Sequence, residues 1–208
     1  VISNRANQML GAALGARAPV HPNDHVNLGQ SSNDSFPAVM HIAAAEAVTM
    51  RLLPALSVLQ AALAARAMEW AGVVKLGRTH MMDAVPVTLG QEFAVWARQV
   101  ALCMARLRDV LPRLLVLPQG GTAAGTGLNT HPDFAGQFCA ALAARTGLEF
   151  VANDLPGEGM SAHDVFVELQ GAMNVLAVAL NKCGNDIRLL GSGPSAGLAE
   201  LVIPADGL

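Results

Sequence analysis

Between Leu89 and Leu114 the apolar positions Leu89, Phe93, Trp96, Val100, Cys103, Leu107, Val110 and Leu114 step by 4, 3, 4, 3, 4, 3 and 4. A strand cannot use that spacing, because its side chains alternate faces every second residue. On a helix the same spacing draws one continuous seam. A seam this long commits the chain to long helices packed in a left-handed bundle. A second seam passes through Val165, Leu169, Met173, Leu176, Leu180, Cys183, Ile187 and Leu190, inside a helix expected over 161–190. An Ala-rich helix is expected from about 37 to 68, kinked or broken by Pro54, which lacks an N–H and crowds the preceding turn. A shorter helix is expected over 133–145.

Local capping marks the helix starts. Thr88 with Gln91 has the spacing of a capping box, and Ser161 with Asp164 repeats it with an acidic partner. Period-2 alternation is nowhere sustained, and short strands near 73–76 and 149–152 are the most the pattern allows. The expected fold class is all-α, a long-helix bundle in which residues 1–208 form one central helical domain.

Such helices need neighbours. Only 14% of residues are charged against 52% hydrophobic, with a mean hydropathy of +0.40. No uncharged apolar run reaches the roughly 18 residues of a membrane span, so no membrane role is expected. The surplus apolar surface points instead to burial between subunits. A net charge of −3 gives no basic footprint for nucleic acid. Cys103, Cys139 and Cys183 are far apart, and no C-x-x-C occurs. Buried, reduced thiols in a cytoplasmic protein are the reading. The first residues, VISNRANQML, carry no secretory signal. The chain opens on Val1 and stops at LVIPADGL without tails, as a piece of something longer would.

Polar, glycine-rich islands punctuate the helices: HPNDHVNLGQSSNDSFP (21–37), GRTHMMDAVP (77–86), QGGTAAGTGLNTH (119–131) and GSGPSAG (191–197). At helix ends, free N–H groups and the macrodipole favour anions. Ser31, Ser32 and Asn33 can hold a small carboxylate, and they are equally an N-cap cluster. Thr79 and His80 place a proton carrier in a loop, with Arg78 and Asp83 near enough to bias it; a surface histidine is the alternative. His21, Asn23, Asp24 and His25 suggest metal by composition, yet match no zinc spacing, and a polar turn or an anion site fits better. The glycine island at 119–131 lacks the phosphate-loop lysine, so close backbone packing or the lining of a small site is expected of it. GPSAG at 193–197 matches a nucleophile elbow in letters alone, because a helix precedes it and no histidine follows residue 163.

Taken together, the islands resemble the class II fumarases of the fumarase/aspartase superfamily. The resemblance rests on NRANQMLG, HPNDHVN with QSSND and FP, GRTH with DA, P and TLGQEF, GGTA with GTGLNTH, NDIRLLGSGP and GLAELVIP, and covers essentially the whole chain. It implies reversible trans-addition of water to fumarate, giving L-malate, with no metal or organic cofactor. It also implies a homotetramer with a central helical bundle and active sites each built from three subunits. By resemblance Ser31, Ser32, Asn33 and Thr79 bind substrate, His80 assists proton transfer through a water, and His21, Asn23 and Asp24 form a second dicarboxylate site. Aspartate ammonia-lyase, the nearest rival, typically carries Gln after GRT and STND in place of SSND. A non-catalytic helical scaffold is the reading of another class.

The chain departs from the pattern in places. The family continues into GSSIMPGKVNP, with its serine base, and is preceded by an SGT-TNMN-NE substrate segment. Neither is present, so these 208 residues are expected not to turn over at a normal rate alone. Leu28 stands where the family has lysine, which lowers the charge around the binding loop, and Ser195 where it often has arginine, which removes a local ionic contact.

Overall fold

The computed structural model describes residues 1–204; Ala205–Leu208 of the expected domain lie outside the described residues. Seven α-helices dominate them, as the seams require: α1 (Ile2–Met9), α2 (Ser32–Glu46), α3 (Leu53–Glu69), α4 (Leu89–Leu114), α5 (Phe134–Thr146), α6 (Pro156–Ser161) and α7 (Asp164–Leu190). Strands β1 (Val74–Thr79) and β2 (Met82–Thr88) form an antiparallel hairpin. Strands β3 (Val116–Leu117) and β4 (Val151–Ala152) form a minimal parallel pair. The chain divides into two compact units, Val1–Glu46 with Leu111–Asp164, and Ala47–Val110 with Val165–Leu208.

In the first unit, Asn7 is fully buried and fixes the loop that follows α1. Its amide donates to the carbonyls of Ala16 at 2.7 Å and Val20 at 2.9 Å, and its oxygen accepts the Val20 N–H at 2.8 Å. The chain is thereby delivered at a fixed point into a π-helical turn, Pro22–Val26. The core behind it is made of Ala38, Ala45, Leu114, Leu117, Cys139, Leu148 and Phe150.

The second unit holds most of both seams. On α4 every seam residue is buried, from 0% exposure at Val100, Leu107 and Leu114 to 7% at Phe93. Trp70, Phe93 and Trp96 stack edge-on, with centroids 4.8 and 4.6 Å apart, and the Trp96 indole N–H donates to Asp186 on α7 at 3.1 Å. On α7, Leu169, Leu176, Cys183 and Leu190 are buried, while Met173 and Leu180 are 40% and 36% exposed. All three cysteines are buried free thiols.

Proline acts on the long second helix less destructively than expected. The chain stays helical from Ser32 to Glu69, with Pro54 at the second residue of α3 inside that run. The six residues before it, Ala47–Leu52, widen into a π-helix, which absorbs the missing hydrogen bond without ending the helix. This run also has the length and composition of a membrane span, with only 22% of its most apolar window buried. It begins at Ser32, five residues ahead of the expected start at 37, with Pro37 inside it.

The two expected caps divide. At Thr88 the box closes in both directions: the Gln91 N–H reaches Thr88 Oγ1 at 3.1 Å, and the Thr88 N–H reaches Gln91 Oε1 at 2.9 Å. At Ser161 it does not form. Ser161 ends α6, and its hydroxyl donates back to the Gly157 carbonyl at 2.7 Å, so α7 starts without it. The strand expected near 73–76 is real but longer, because the island after it folds back as β2.

Candidate functional site

The first unit carries a cavity of about 850 Å³. Asn23, Asp24, Ser31 and Ser32 line it together with Thr122 and Ala123. Two of the predicted clusters and the glycine island therefore meet in one place. Their floor is built by the start of α2. Ser31 is the N-cap: its hydroxyl oxygen accepts the Asn33 N–H at 3.2 Å, and Asp34 Oδ1 accepts the Ser31 N–H at 2.9 Å. Asp34 thus makes its half of a capping box, at the spacing that failed at Ser161, while the Ser31 hydroxyl caps the neighbouring N–H. Ser32 makes no side-chain hydrogen bond among the described residues, so its hydroxyl is open to a ligand. Asn33 is partly committed, donating through Nδ2 to the Ala123 carbonyl at 2.9 Å.

Asp34, which the sequence did not single out, organises the floor. It has no exposed surface. Its Oδ2 accepts from Gln119 Nε2 at 3.2 Å, from the Gly120 N–H at 3.1 Å and from the Thr122 N–H at 2.9 Å. A buried carboxylate without a cation is tolerated only when its lone pairs are filled in this way. The residue was findable: Ser31-x-x-Asp34 carries the box spacing directly ahead of an apolar helical run. Thr122 sits at φ +58°, a conformation poor for a β-branched residue, and its buried Oγ1 has no hydrogen-bond partner. Gly125 follows at φ +89°, where an added Cβ would lie 2.5 Å from Gly157 Cα. The glycine island thus packs its backbone closely, one of the two readings expected of it, and its Thr122, Ala123, Leu128 and Asn129 line the cavity.

The HPNDH turn is largely self-contained. His21 Nδ1 lies 3.3 and 3.2 Å from the N–H groups of Asn23 and Asp24 and caps the π-turn, while His25 Nδ1 accepts the His21 N–H at 2.8 Å. Asn23 and Asp24 face the cavity; His21 is not among its lining residues. Among the described residues no lysine or arginine lines it, and Leu28 does.

In the second unit, Thr79 and His80 stand at the tip of the β1–β2 hairpin. Thr79 pairs with Met82, leaving His80 and Met81 as a two-residue loop with φ of +54° and +64°. Tight hairpins favour this doubly left-handed turn, but usually with Asn or Gly in it. His80 is exposed and forms no side-chain hydrogen bond among the described residues. Arg78, two residues before it, is engaged in an ion pair. Its guanidinium donates to Glu200 Oε1 at 2.5 Å, and Lys75 Nζ bridges Glu200 Oε2 at 2.5 Å and Glu92 Oε2 at 2.7 Å. Burial pushes the Glu200 carboxyl up, but the bonds from Arg78 and Lys75 outweigh it and hold the group below the ordinary range. His80, Arg78, Trp96, Lys182 and Asp186 line a smaller cavity of about 450 Å³ in this unit. The charges in its wall are mutually paired: Lys182 with Asp186, Arg78 with Glu200 and Glu92 with Lys75.

Comparison with known proteins places this geometry. A family model described as Lyase matches residues 2–207. A class II fumarate hydratase from Methylorubrum extorquens is 57% identical over 204 residues, which are 98% of this chain and 43% of that protein. The mitochondrial fumarate hydratase of Homo sapiens is 56% identical over the same share of this chain and 40% of its own length. The crystal structure of a class II fumarase from Schistosoma mansoni superposes with a TM-score of 0.94 at 38% identity, covering 99% of this chain and 46% of that one. The chain thus spans less than half the length of the relatives it matches.

Proposed function

The chain belongs to the lyase family matched over residues 2–207, and from that premise we propose that it serves a fumarate hydratase, adding water reversibly across fumarate to give L-malate. The observation that carries this reading is the first unit's cavity. The uncommitted Ser32 hydroxyl stands there beside Ser31 and Asn33 at the N-terminus of α2, with no lysine or arginine in the lining among the described residues, in a chain 57% identical to a protein of that activity. Neutral donors and a helix dipole hold a carboxylate without fixing it as a permanent ion pair.

The chemistry assigns roles to the residues. Dehydration of malate removes a proton from the carbon beside one carboxylate, whose charge then builds up as an aci-carboxylate. Donors aimed at that group lower the barrier. Ser31, Ser32 and the remaining amide hydrogen of Asn33 supply such donors; Thr79, by resemblance a further substrate-binding residue, belongs to the second unit. His80, which forms no side-chain hydrogen bond among the described residues, relays a proton through a water as the hydroxide leaves. His21, Asn23 and Asp24 constitute a second dicarboxylate site, reached through Asn23 and Asp24 in the cavity wall. The residues present supply binding and proton relay; the base that takes the carbon-bound proton is not assigned among them.

Assembly as a homotetramer is part of the same reading. Large apolar side chains are exposed along α2–α3 at Phe36, Val39, Met50, Val58 and Met68, and along α7 at Val167, Val175 and Val178. Such stripes mark contact surfaces. We read the Ser32–Glu69 run as one of them rather than as a membrane span, because Asp34 and His41 on it are buried within the first unit. Buried free thiols fit a reducing cytoplasm.

The test is loss of fumarate's ultraviolet absorbance with the protein at its natural length, without and then with ammonium. Ammonium-independent formation of L-malate is the expected result. Turnover only with ammonium would transfer the chain to the ammonia-lyases, and a His80→Asn variant as fast as the parent would remove His80 from the relay.

A further inference from the structure

We infer that Asp34 is a positioning residue that sets substrate affinity, by locking the Ser31–Asn33 donors and the Thr122 loop into one rigid floor. The inference rests on the reading of the cavity as a dicarboxylate site. Each oxygen of Asp34 serves a different chain segment. Oδ1 holds the Ser31 N–H at the N-cap of α2, and Oδ2 holds the N–H groups of Gly120 and Thr122 and the Gln119 amide. Those segments are more than eighty residues apart in sequence, at |i−j| of 85 to 88. A direct link between them, from Asn33 Nδ2 to the Ala123 carbonyl, lies on the cavity surface and is exposed. Asp34 is therefore the buried member of the junction.

Two features argue that the junction does more than hold the fold. First, the carboxylate consumes the backbone N–H groups of Ser31, Gly120 and Thr122, which would otherwise point at an anion. The ligand then meets the side chains of Ser31, Ser32 and Asn33, whose direction is set by backbone that Asp34 fixes. Second, Thr122 is held at φ +58°. A non-glycine residue in that region is strained, and strain persists only where its surroundings over-determine it. The glycines at 120, 121 and 125 show that this loop readily accommodates glycine. The threonine is kept in place by its N–H bond to Asp34.

The experiment compares four proteins at natural length: the parent, Asp34→Asn, Thr122→Gly and the double variant. Asparagine turns one acceptor oxygen into a donor that faces N–H groups. Glycine at 122 adopts the left-handed conformation without strain. Melting temperature, KM and kcat for fumarate, and calorimetric Kd for succinate, an unreactive dicarboxylate, are read for each. Asp34→Asn is expected to lower the melting temperature and to raise KM and the succinate Kd by about tenfold, the scale of losing one hydrogen bond to a charged group. The double variant is expected to melt closer to Thr122→Gly than Asp34→Asn melts to the parent, yet to keep the tenfold loss of affinity relative to Thr122→Gly. Affinity recovering together with stability would overturn the inference and leave Asp34 a structural residue only. Should Asp34→Asn not fold, amide exchange in the parent decides. Equal, strong protection of Ser31 and Thr122 supports one rigid floor, and fast or unequal exchange overturns it. A parent that binds succinate without hydrating fumarate sinks the proposed hydration alone, because Asp34 is still tested by succinate. A parent that does neither sinks both.

Discussion

Helices α4 and α7 carry the same apolar spacing and put it to different use. Every seam position of α4 is buried, whereas α7 buries Leu169, Leu176, Cys183 and Leu190 and leaves Met173, Leu180 and the neighbouring Val175 and Val178 exposed. The difference lies in the opposite face. Around its seam α4 carries Glu92, Arg98, Arg106, Arg108, Asp109 and Arg113, while α7 keeps its charges toward its ends, at Asp164, Glu168, Lys182, Asp186 and Arg188, and is uncharged from Leu169 to Asn181, where Val175 and Val178 are exposed. A seam therefore tells that a helix packs, and the chemistry of the far side tells how many partners it has. Within its own unit α4 has a finished interface, and α7 has half of one.

The sharpest way to break the comparison is to cut a cavity in each seam. Leu107→Ala on α4 should cost about 3 kcal/mol in urea unfolding, in the range for fully buried leucines. Leu180→Ala should cost under about 1 kcal/mol in a dissociated protomer, since over a third of that side chain already meets solvent. Equal losses would mean that the two seams are not different after all. Next in size is assembly. Val178→Lys puts a charge in the exposed stripe of α7 and should weaken association about tenfold or more, roughly 1.4 kcal/mol. Sedimentation would register it as a shift to smaller species with the helical signal intact. An unchanged sedimentation profile would leave the second face of α7 without a partner.

The helix starts sharpen the same contrast on a smaller scale. Thr88→Ala removes a closed capping box from α4 and should cost about 1 kcal/mol. Ser161→Ala touches no cap of α7, and should stay within about 0.5 kcal/mol. The last and smallest effect concerns the other end of α4, where buried His41 holds the Leu114 carbonyl through Nδ1 at 3.0 Å. Desolvation lowers the His41 pKa below 6.5 against the opposing pull of that carbonyl and of Glu158, with His163 adding to the lowering. The unfolded chain then takes up a proton that the folded one refuses, so stability should fall as pH drops from about 6.5 toward the depressed value. His41→Gln should flatten that slope, seen as melting temperature against pH.

These contrasts also mark what the sequence could tell. The seams announced α4 and α7 because a 3–4 spacing has no other use, and the box at Thr88 fixed the start of α4 within a residue. The identical spacing at Ser161 misled, because a six-residue helix claims that serine first, and a cap depends on which helix ends nearby. The hairpin was half visible. Its first strand could be placed, but β2 contains Pro86 and exposed Met82 and Val85, so it lacks the alternation of a strand with one buried face. In the site, hydroxyls and imidazoles drew attention by chemical type. Asp34 escaped because an acid beside three polar residues reads as solvated surface, and only tertiary contact with residues 119–122 shows it buried.

The turn at His80 and Met81 has a consequence for anyone who would improve this protein. Both residues occupy backbone conformations that glycine or asparagine adopts more readily, so a screen for thermal tolerance should favour replacing them. His80→Gly would relax the loop and, if the imidazole is the proton relay we propose, erase that relay in the same stroke. On that proposal, the gain in robustness and the loss of the relay come with one mutation at this turn.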